Sequence, residues 1–401
     1  MIIETLRANG HQAFFVGGCV RDKLMGREPK DWDIATSATP DEVIELFPDA
    51  ITVGKQFGVV VVKGHEVATF RKEADHVGHK CTVTFSDIMA DASRRDFTIN
   101  AMYMDGDRIL DFFGGQKDIE MNILRTVGKA ERRFAEDPLR MLRAVRFAAQ
   151  FNMTMSDDIV MNGALLRTIS AERIRDELVK ILRVGGLKML STTGLLAHIL
   201  PEIEQLNEVE QDARHPEGNV FEHTCLVVDN ARHNTVVMMA ALLHDVGKFE
   251  TQEINGDKIS FINHEDSTLP ELIMRRLKFD NATIDAVCFL VKNHMRMHKF
   301  FDMKKSKQAN LMRHEQWNNL VLLNEADCLG SYKPINTEAF KAVNMPVARL
   351  SDRLVTGDDL LALGFVPGKE MGTVLRALEE AQREGIFDTK EKGLAFLETL
   401  C

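Results

Sequence analysis

Strand-type patterning belongs to the first 125 residues, where it mixes with helix signals, and from about residue 126 onward helix signals dominate almost completely. That change limits the fold more than any other feature. A sheet can be built only from the N-terminal part, and the rest of the chain must pack helix on helix. The expectation is an α+β chain divided into a head (1–125), a helical neck (126–200), a helical body (201–333) and a small helical tail (334–401), with the later boundaries near Pro201 and Pro334. Within the head, Ala13-Phe14-Phe15-Val16 reads as a strand end. Val59–Val62 and Glu66–Phe70 read as strands joined by Lys63-Gly64-His65. Asp41–Phe47 reads as a short helix with Thr39 as N-cap and Pro40 in the first position. At 401 residues the chain exceeds one ordinary core, and roughly two to four domains are expected.

A hydrophobic content of 45% fits folded globular structure, and no apolar run is long enough to span a bilayer. The N-terminus has no basic, apolar and cleavage-site succession of a signal peptide. The six cysteines are scattered without a C-x-x-C pair, which argues against a zinc knuckle or a disulfide framework and for the reducing cytoplasm. The net charge of −10 opposes general nucleic-acid affinity, but local basic surface decides that question. Arg125, Lys129, Arg132, Arg133, Arg140, Arg143 and Arg146 do cluster after the head.

The chemistry begins at Gly17-Gly18-Cys19-Val20-Arg21-Asp22, followed by Asp31-Trp32-Asp33-Ile34-Ala35-Thr36. Gly17 and Gly18 permit a tight turn in which backbone approaches a phosphate. Arg21 adds a fixed forked donor. Asp31 and Asp33, two apart on a strand, point the same way and can share Mg²⁺. Together they suggest a metal-dependent reaction on a nucleoside triphosphate. In Arg94-Arg95-Asp96-Phe97-Thr98-Ile99-Asn100-Ala101-Met102, two arginines offer phosphate neutralisation, while Asp96 and Asn100 offer ribose hydrogen bonds. In Glu136-Asp137-Pro138-Leu139-Arg140, Asp137 reads as an N-cap with Pro138 at the first helical position. Arg140, Arg143 and Arg146 recur every three residues, drifting about 60° per step, so they share one broad helix face.

These motifs resemble the bacterial tRNA nucleotidyltransferase and poly(A) polymerase family. The resemblance implies a polymerase β-type catalytic head with a mixed sheet. Asp31 and Asp33 would hold Mg²⁺, Gly18, Arg21 and Arg95 would face the triphosphate, and Asp96 and Asn100 the sugar. It implies that Asp137 and Arg140 pair with the Watson–Crick edge of CTP or ATP. The chemistry suits that role, since aspartate accepts from an exocyclic amino group and arginine donates to ring nitrogens or carbonyls. Arg143 and Arg146 would serve the triphosphate or anchor the helix, and Glu73 is a candidate third carboxylate. The implied partners are tRNA, CTP and ATP, with no obligate protein partner. Residues 74–82 depart from the family, lacking the Tyr, Arg and Pro of a loop that helps the switch from C to A. A CC-adding enzyme therefore stays open beside the CCA-adding reading. So does poly(A) polymerase, although Val53–Gly58 looks more tRNA-type.

A second constellation lies in the body: His223, His244-Asp245, His264, His294 and Asp327. One histidine on an apolar helix is ordinarily a satisfied core residue, but five such positions in order are not easily explained that way. Adjacent helical residues differ by roughly 100°, so His244 and Asp245 can reach one ion. Imidazole with carboxylate suits Mn²⁺, Fe²⁺, Ni²⁺ or Zn²⁺. The order resembles the HD phosphohydrolase superfamily. That resemblance implies one metal on His223, His244, Asp245 and Asp327, a second with His264 and His294, and phosphatase or 2′,3′-cyclic phosphodiesterase activity at tRNA ends. An enzyme that is mainly such a phosphohydrolase is a further alternative. In the tail, Gly364-Phe365-Val366-Pro367-Gly368-Lys369 reads as a turn that either contacts phosphate or merely joins helices.

Overall fold

A computed structural model describes residues 1–77, 80–211, 216–256, 258–332, 353–383 and 386–399. The chain divides into two compact units, Met1–Glu204 and Gln205–Cys401.

The first unit opens with helix α1 (Ile2–Ala8), strand β1 (Ala13–Val16), helix α2 (Gly18–Leu24), strand β2 (Ile34–Thr36) and helix α3 (Pro40–Leu46). Thr39 caps α3 in a reciprocal box with Glu42, with Pro40 in the first turn, as its sequence predicts. Strands β3 (Val59–Val62) and β4 (His65–Thr69) form the expected hairpin. They are followed by β5 (Arg71–Val77), β6 (Lys80–Phe85), α4 (Ile88–Ser93), β7 (Met102–Asp105) and β8 (Arg108–Asp111).

The main sheet has the order β3-β4-β2-β1-β7-β8. It is mixed: β2 pairs antiparallel with β1 and parallel with β4. Alternation along the strands gives it two apolar faces. Ile34, Val60, Val62 and Val67 pack with Ile2, Leu6 and Val43 of the covering helices. Val16, Ala35, Phe70 and Tyr103 pack on the other side with Ala92 of α4. Of the segment that is a loop by analogy with the family, residues 74–77 lie in β5 and 80–82 in β6, an antiparallel pair.

After α5 (Gly115–Glu120) and β9 (Ile123–Leu124), helices α6 (Ala130–Glu136) and α7 (Leu139–Phe151) lead into β10 (Thr154–Met155) and α8 (Ala171–Arg183). Regular helix in α7 starts at Leu139, one residue later than expected, although the local conformation is the expected one. Pro138 is already helical and Asp137 extended, so Asp137 does cap, with its carboxylate accepting the Leu139 N–H at 3.2 Å. The parallel pairing of β9 with β10 places a strand beyond residue 126, where the sequence reads as helical. Two residues per strand carry too little periodicity to be read in advance.

In the second unit the helices Val220–Asn230, Thr235–Leu243, Asn281–Met297 and Trp317–Gly330 pack together. It too holds a small sheet that helix-dominated patterning does not suggest: Gln252–Asn255 pairs antiparallel with Lys258–Phe261. Its signal was present in the sequence dipeptide Gly256-Asp257, a hairpin signal between short alternating segments. The C-terminal helices Gly357–Ala362, Lys369–Arg383 and Lys390–Leu397 share a core of Val355, Leu360, Leu378, Ala381, Phe387 and Leu397. Lys369 begins the second of these helices after a turn in which Gly364 has φ +92°. The boundary expected near Pro334 lies outside the described residues.

Candidate active site and candidate metal centre

Regular pairing in β2 starts at Ile34, one residue after Asp33. The ladder still reaches the acidic pair, because the Val16 N–H donates to the Asp33 carbonyl at 3.0 Å. Asp31 is exposed and Asp33 half-buried. The parallel register Ile34↔Val67 sets Glu66 beside Asp33 on the neighbouring strand. Burial raises the Asp33 carboxyl above its ordinary range, and the charges of Glu66 and Asp31 raise it further, against the opposing pull of Arg95 and His65. Mutually repelling carboxylates of this kind are relieved by a divalent cation with oxygen preference. Sequence reasoning passed over Glu66. Its signal, two strand residues aligned across a parallel pair, exists only once the pairing is known. The side chain of Glu73 lies outside the described residues.

Gly17 is at φ +75°, and a Cβ there would sit 3.0 Å from Nη1 of Arg95. The glycine therefore serves two needs, the left-handed turn and close approach by the arginine. Arg95 donates from Nη1 to the Asn100 carbonyl at 3.3 Å and from Nη2 to Asp91 at 3.2 Å. Its Nε is buried without a hydrogen-bond partner among the described residues. Gly18 opens α2.

Several residues expected at the nucleotide are engaged with one another. Arg21 donates to Asn100 Oδ1 at 2.6 Å and to Asp22, and its guanidinium lies 4.5 Å from the Phe151 ring centroid. Asn100 donates in turn to Asp96 at 3.1 Å, and Asp96 accepts from Arg143 Nε at 2.8 Å. Burial would raise the Asp96 carboxyl, but the charge of Arg143 and the Asn100 hydrogen bond bring it down to about 2. This chain of bonds ties the glycine turn to α7. Arg140 is buried and donates to Glu136 at 3.0 Å and to the Arg94 carbonyl at 3.1 Å. Asp137 pairs with Arg173 at 2.9 Å. Arg146 pairs with buried Glu177 of α8 and so anchors the helix.

In the second unit all six selected residues meet, although they come from separated segments. His223 lies in Val220–Asn230, His264 in a short turn, His294 in Asn281–Met297 and Asp327 in Trp317–Gly330. His244 closes Thr235–Leu243, with Asp245 in the turn after it rather than in the helix. A Cβ on Gly247 would lie 2.3 Å from the His264 carbonyl, so this glycine lets the two turns touch. Ligand atoms of His223, His244 and Asp245 lie within 4.8 Å of one another, as do those of Asp245, His264 and His294. Asp245 thus belongs to both groups. Asp327 is 3.1 Å from His223 Nε2.

The imidazoles are preset. Nδ1 of His244, His264 and His294 lies 2.8, 3.3 and 2.6 Å from the carbonyl three residues earlier, and Nδ1 of His223 faces Glu217 at 3.3 Å. An Nδ1–H held this way leaves Nε2 as the presented ligand atom. Nε2 of His294 is buried with no hydrogen-bond partner among the described residues, and Nε2 of His264 meets only Asp245, at 3.1 Å, so the donor set fits a transition metal. Burial, then the neighbouring His244, hold His294 down to about 3. Burial opposes protonation of His223, yet hydrogen bonds to Asp327 and Glu217 push it up to about 9. Lys248 lies 2.7 Å from Asp245 and His298 lies 3.1 Å from Asp327. Both line the cavity of about 530 Å³ at this centre. The sequence reading missed Glu217, Lys248 and His298; only His298 carried a signal, its i+4 spacing from His294.

A mixed sheet with paired carboxylates at a strand mouth, a glycine turn and an arginine against it defines a polymerase β-type nucleotidyltransferase head. Known proteins agree. The family described as "Poly A polymerase head domain" matches residues 13–125. "Probable RNA and SrmB- binding site of polymerase A" matches 154–206, and "tRNA nucleotidyltransferase domain 2 putative" matches 259–396. The CCA-adding enzyme of Geobacillus sp. (strain WCH70) is 43% identical over 230 residues, 53% of this chain and 57% of that protein; this match thus spans little more than half of the relative's length. The CCA-adding enzyme of Bacillus subtilis (strain 168) is 33% identical over 406 residues, 98% of this chain and 94% of that protein. The crystal structure of the Bacillus stearothermophilus CCA-adding enzyme in complex with CTP matches with TM-score 0.76 and 29% identity, covering 100% of this chain and 95% of that one. The chain belongs to the tRNA nucleotidyltransferase/poly(A) polymerase family. No helix among the described residues is long and apolar enough to cross a membrane.

Proposed function

We propose that this chain adds cytidylate and adenylate from CTP and ATP to the 3′ end of tRNA in the cytoplasm, maturing and repairing the acceptor end. The observation that carries this reading is the parallel register that sets Glu66 beside Asp33, two residues after Asp31, with Arg95 packed against the Gly17 turn. The terminal 3′-hydroxyl attacks the α-phosphorus, the new P–O bond forms in line, and pyrophosphate leaves with the electron pair of the broken bond. Asp31, Asp33 and Glu66 would hold Mg²⁺, which when bound supplies charge neutralisation and lowers the hydroxyl pKa. Gly17 and Gly18 admit the triphosphate to the backbone, and Arg95 faces its charge. Asp137 and Arg140 select the base, and to do so their ties to Arg173 and to Glu136 and Arg94 must rearrange toward the incoming edge. Asp96 and Arg143 position α7 against the head rather than touching the sugar. The division into head, neck, body and tail at 125, 200 and 333 belongs to the same proposal.

A second activity is favoured by the six converging ligands. His223, His244, Asp245 and Asp327 would hold one transition metal, Mn²⁺, Fe²⁺, Ni²⁺ or Zn²⁺, with His264 and His294 completing a second position through Asp245. Such ions supply an activated water for phosphate-ester hydrolysis. Lys248 and His298 would place the phosphate in the cavity.

The test is incorporation of labelled CTP and ATP, separately and together, on tRNA lacking its last three nucleotides. Two C additions followed by one A are expected. Two C additions and a stop would make this a CC-adding enzyme and implicate residues 74–82. Long A tails would move it to poly(A) polymerase, and no incorporation would leave the phosphohydrolase as the main activity.

A further inference from the structure

Asp91 belongs to none of the motifs that carry the proposed chemistry, yet among the described residues it is the most heavily bonded carboxylate of the head. It sits on α4 with 1% of its surface exposed. Its Oδ2 accepts from Arg95 Nη2 at 3.2 Å and from the Tyr103 hydroxyl at 2.6 Å. Its Oδ1 accepts from Arg94 Nε and Nη2 at 2.9 and 2.8 Å and from the Arg71 N–H at 3.3 Å. Burying one carboxylate among this many donors ties the donors to fixed relative positions, at a desolvation cost that an apolar residue would not carry.

Each donor leads to a working part. Arg95 lies against Gly17, and its charge acts on Asp33. The Arg94 carbonyl takes the Nη2 bond of Arg140, the base-selecting arginine. The Arg71 N–H is the root of the β5–β6 hairpin. The Arg95 guanidinium, 5.4 Å from the Tyr103 ring centroid, is thus held from one side by Asp91 and from another by the ring. Arg95 can turn about several bonds. Held by Asp91 and by the Asn100 carbonyl, it keeps one orientation before nucleotide arrives, which reduces the ordering cost of binding.

We propose that Asp91 is a positioning residue for nucleotide binding, fixing the Arg95 guanidinium against the Gly17 turn so that it meets the triphosphate already oriented. This rests on the nucleotidyl-transfer reading of the head. The test is titration of CTP and of ATP, each with Mg²⁺, into the full chain, with Asp91→Asn, Arg95→Ala and the double variant. Asp91→Asn should weaken both nucleotides about tenfold, since a charge-assisted bond is replaced by a neutral one. In the Arg95→Ala background it should add nothing. A folded Asp91→Asn chain with unchanged affinity overturns the proposal. So does full additivity with Arg95→Ala, the pattern of a residue that only stabilises α4. Should Asp91→Asn fail to fold, Asp91→Glu keeps the charge but displaces the guanidinium by one methylene. The same loss of affinity is then expected, and unchanged affinity overturns the proposal. Nucleotide titration needs neither tRNA nor turnover. A chain that binds CTP but does not extend tRNA therefore counts against CCA addition and not against the role of Asp91.

Discussion

The two candidate centres are built in opposite ways. In the head, Asp31 is exposed and Asp33 half-buried, both delivered by one short segment at the mouth of a strand. In the second unit, His223, His244, Asp245, His264, His294 and Asp327 are each 7% exposed or less and come from separated segments. The first centre is open, so a cation held there would leave room for further ligands. The second is enclosed, with every imidazole oriented by an Nδ1 contact before any ion binds. Openness suits Mg²⁺, which keeps waters and travels with nucleotide, whereas preset nitrogen ligands suit a resident transition metal.

The largest expected effect separates the two centres outright. Asp31→Ala should reduce nucleotide incorporation by about a thousandfold or more while leaving phosphate-ester hydrolysis unchanged, since metal charge neutralisation is a dominant part of phosphoryl-group transfer. Asp245→Ala should do the reverse, and it should also remove bound transition metal from the purified chain as read by elemental analysis. Parallel loss of both activities in either variant would break the comparison. Next in size, Glu66→Gln should slow incorporation by about a hundredfold with little change in melting temperature. A normal rate would remove Glu66 from the cation site and return attention to Glu73.

Metal removal sharpens the contrast further. Brief chelation followed by desalting should leave the transition metal in place, while incorporation depends at once on added Mg²⁺. Enclosed sites exchange slowly and open ones quickly. If brief chelation strips both activities alike, the second centre is not a resident-metal site.

The smallest effect concerns the buried link behind the head. Asp96 has a folded pKa of about 2, below its unfolded value of 3.8, so its pairing with Arg143 contributes stability above about pH 4. That contribution is lost as pH falls toward 2. Asp96→Asn should cost about 2 kcal/mol near neutrality, and the gap to the wild-type melting curve should close below pH 4. A gap that persists at pH 2 would show that the pair acts through shape and not charge.

Local chemistry was legible wherever one segment carries it. The Thr39 cap, the β3–β4 hairpin and the strand Ala13–Val16 each follow from a few adjacent residues. So does the glycine turn with the acidic pair behind it. The six-residue candidate metal set was readable as a set of side chains because His and Asp in an apolar helical background are chemically conspicuous. The small hairpin at Gln252–Phe261 was hidden among helices, although Gly256, at φ +63°, marks its turn.

By itself, the sequence determined which groups are present and how neighbouring ones orient: a mixed α+β class, carboxylates two apart, arginines three apart. Periodicity and turn chemistry act over a few residues, so they can be read without knowing the fold. Only the tertiary structure decided which groups meet. It brought Glu66 beside Asp33 through parallel register, closed Asp245 around two ligand groups, and turned Asp96, Arg140 and Arg146 inward as ties between elements. It also made Asp91 a hub for Arg94, Arg95, Tyr103 and the Arg71 backbone. A charged side chain reads the same in sequence whether it faces a substrate or a buried partner. Burial and contact across long chain separation distinguish the two, because a buried charge must find its counter-charge wherever the fold places one.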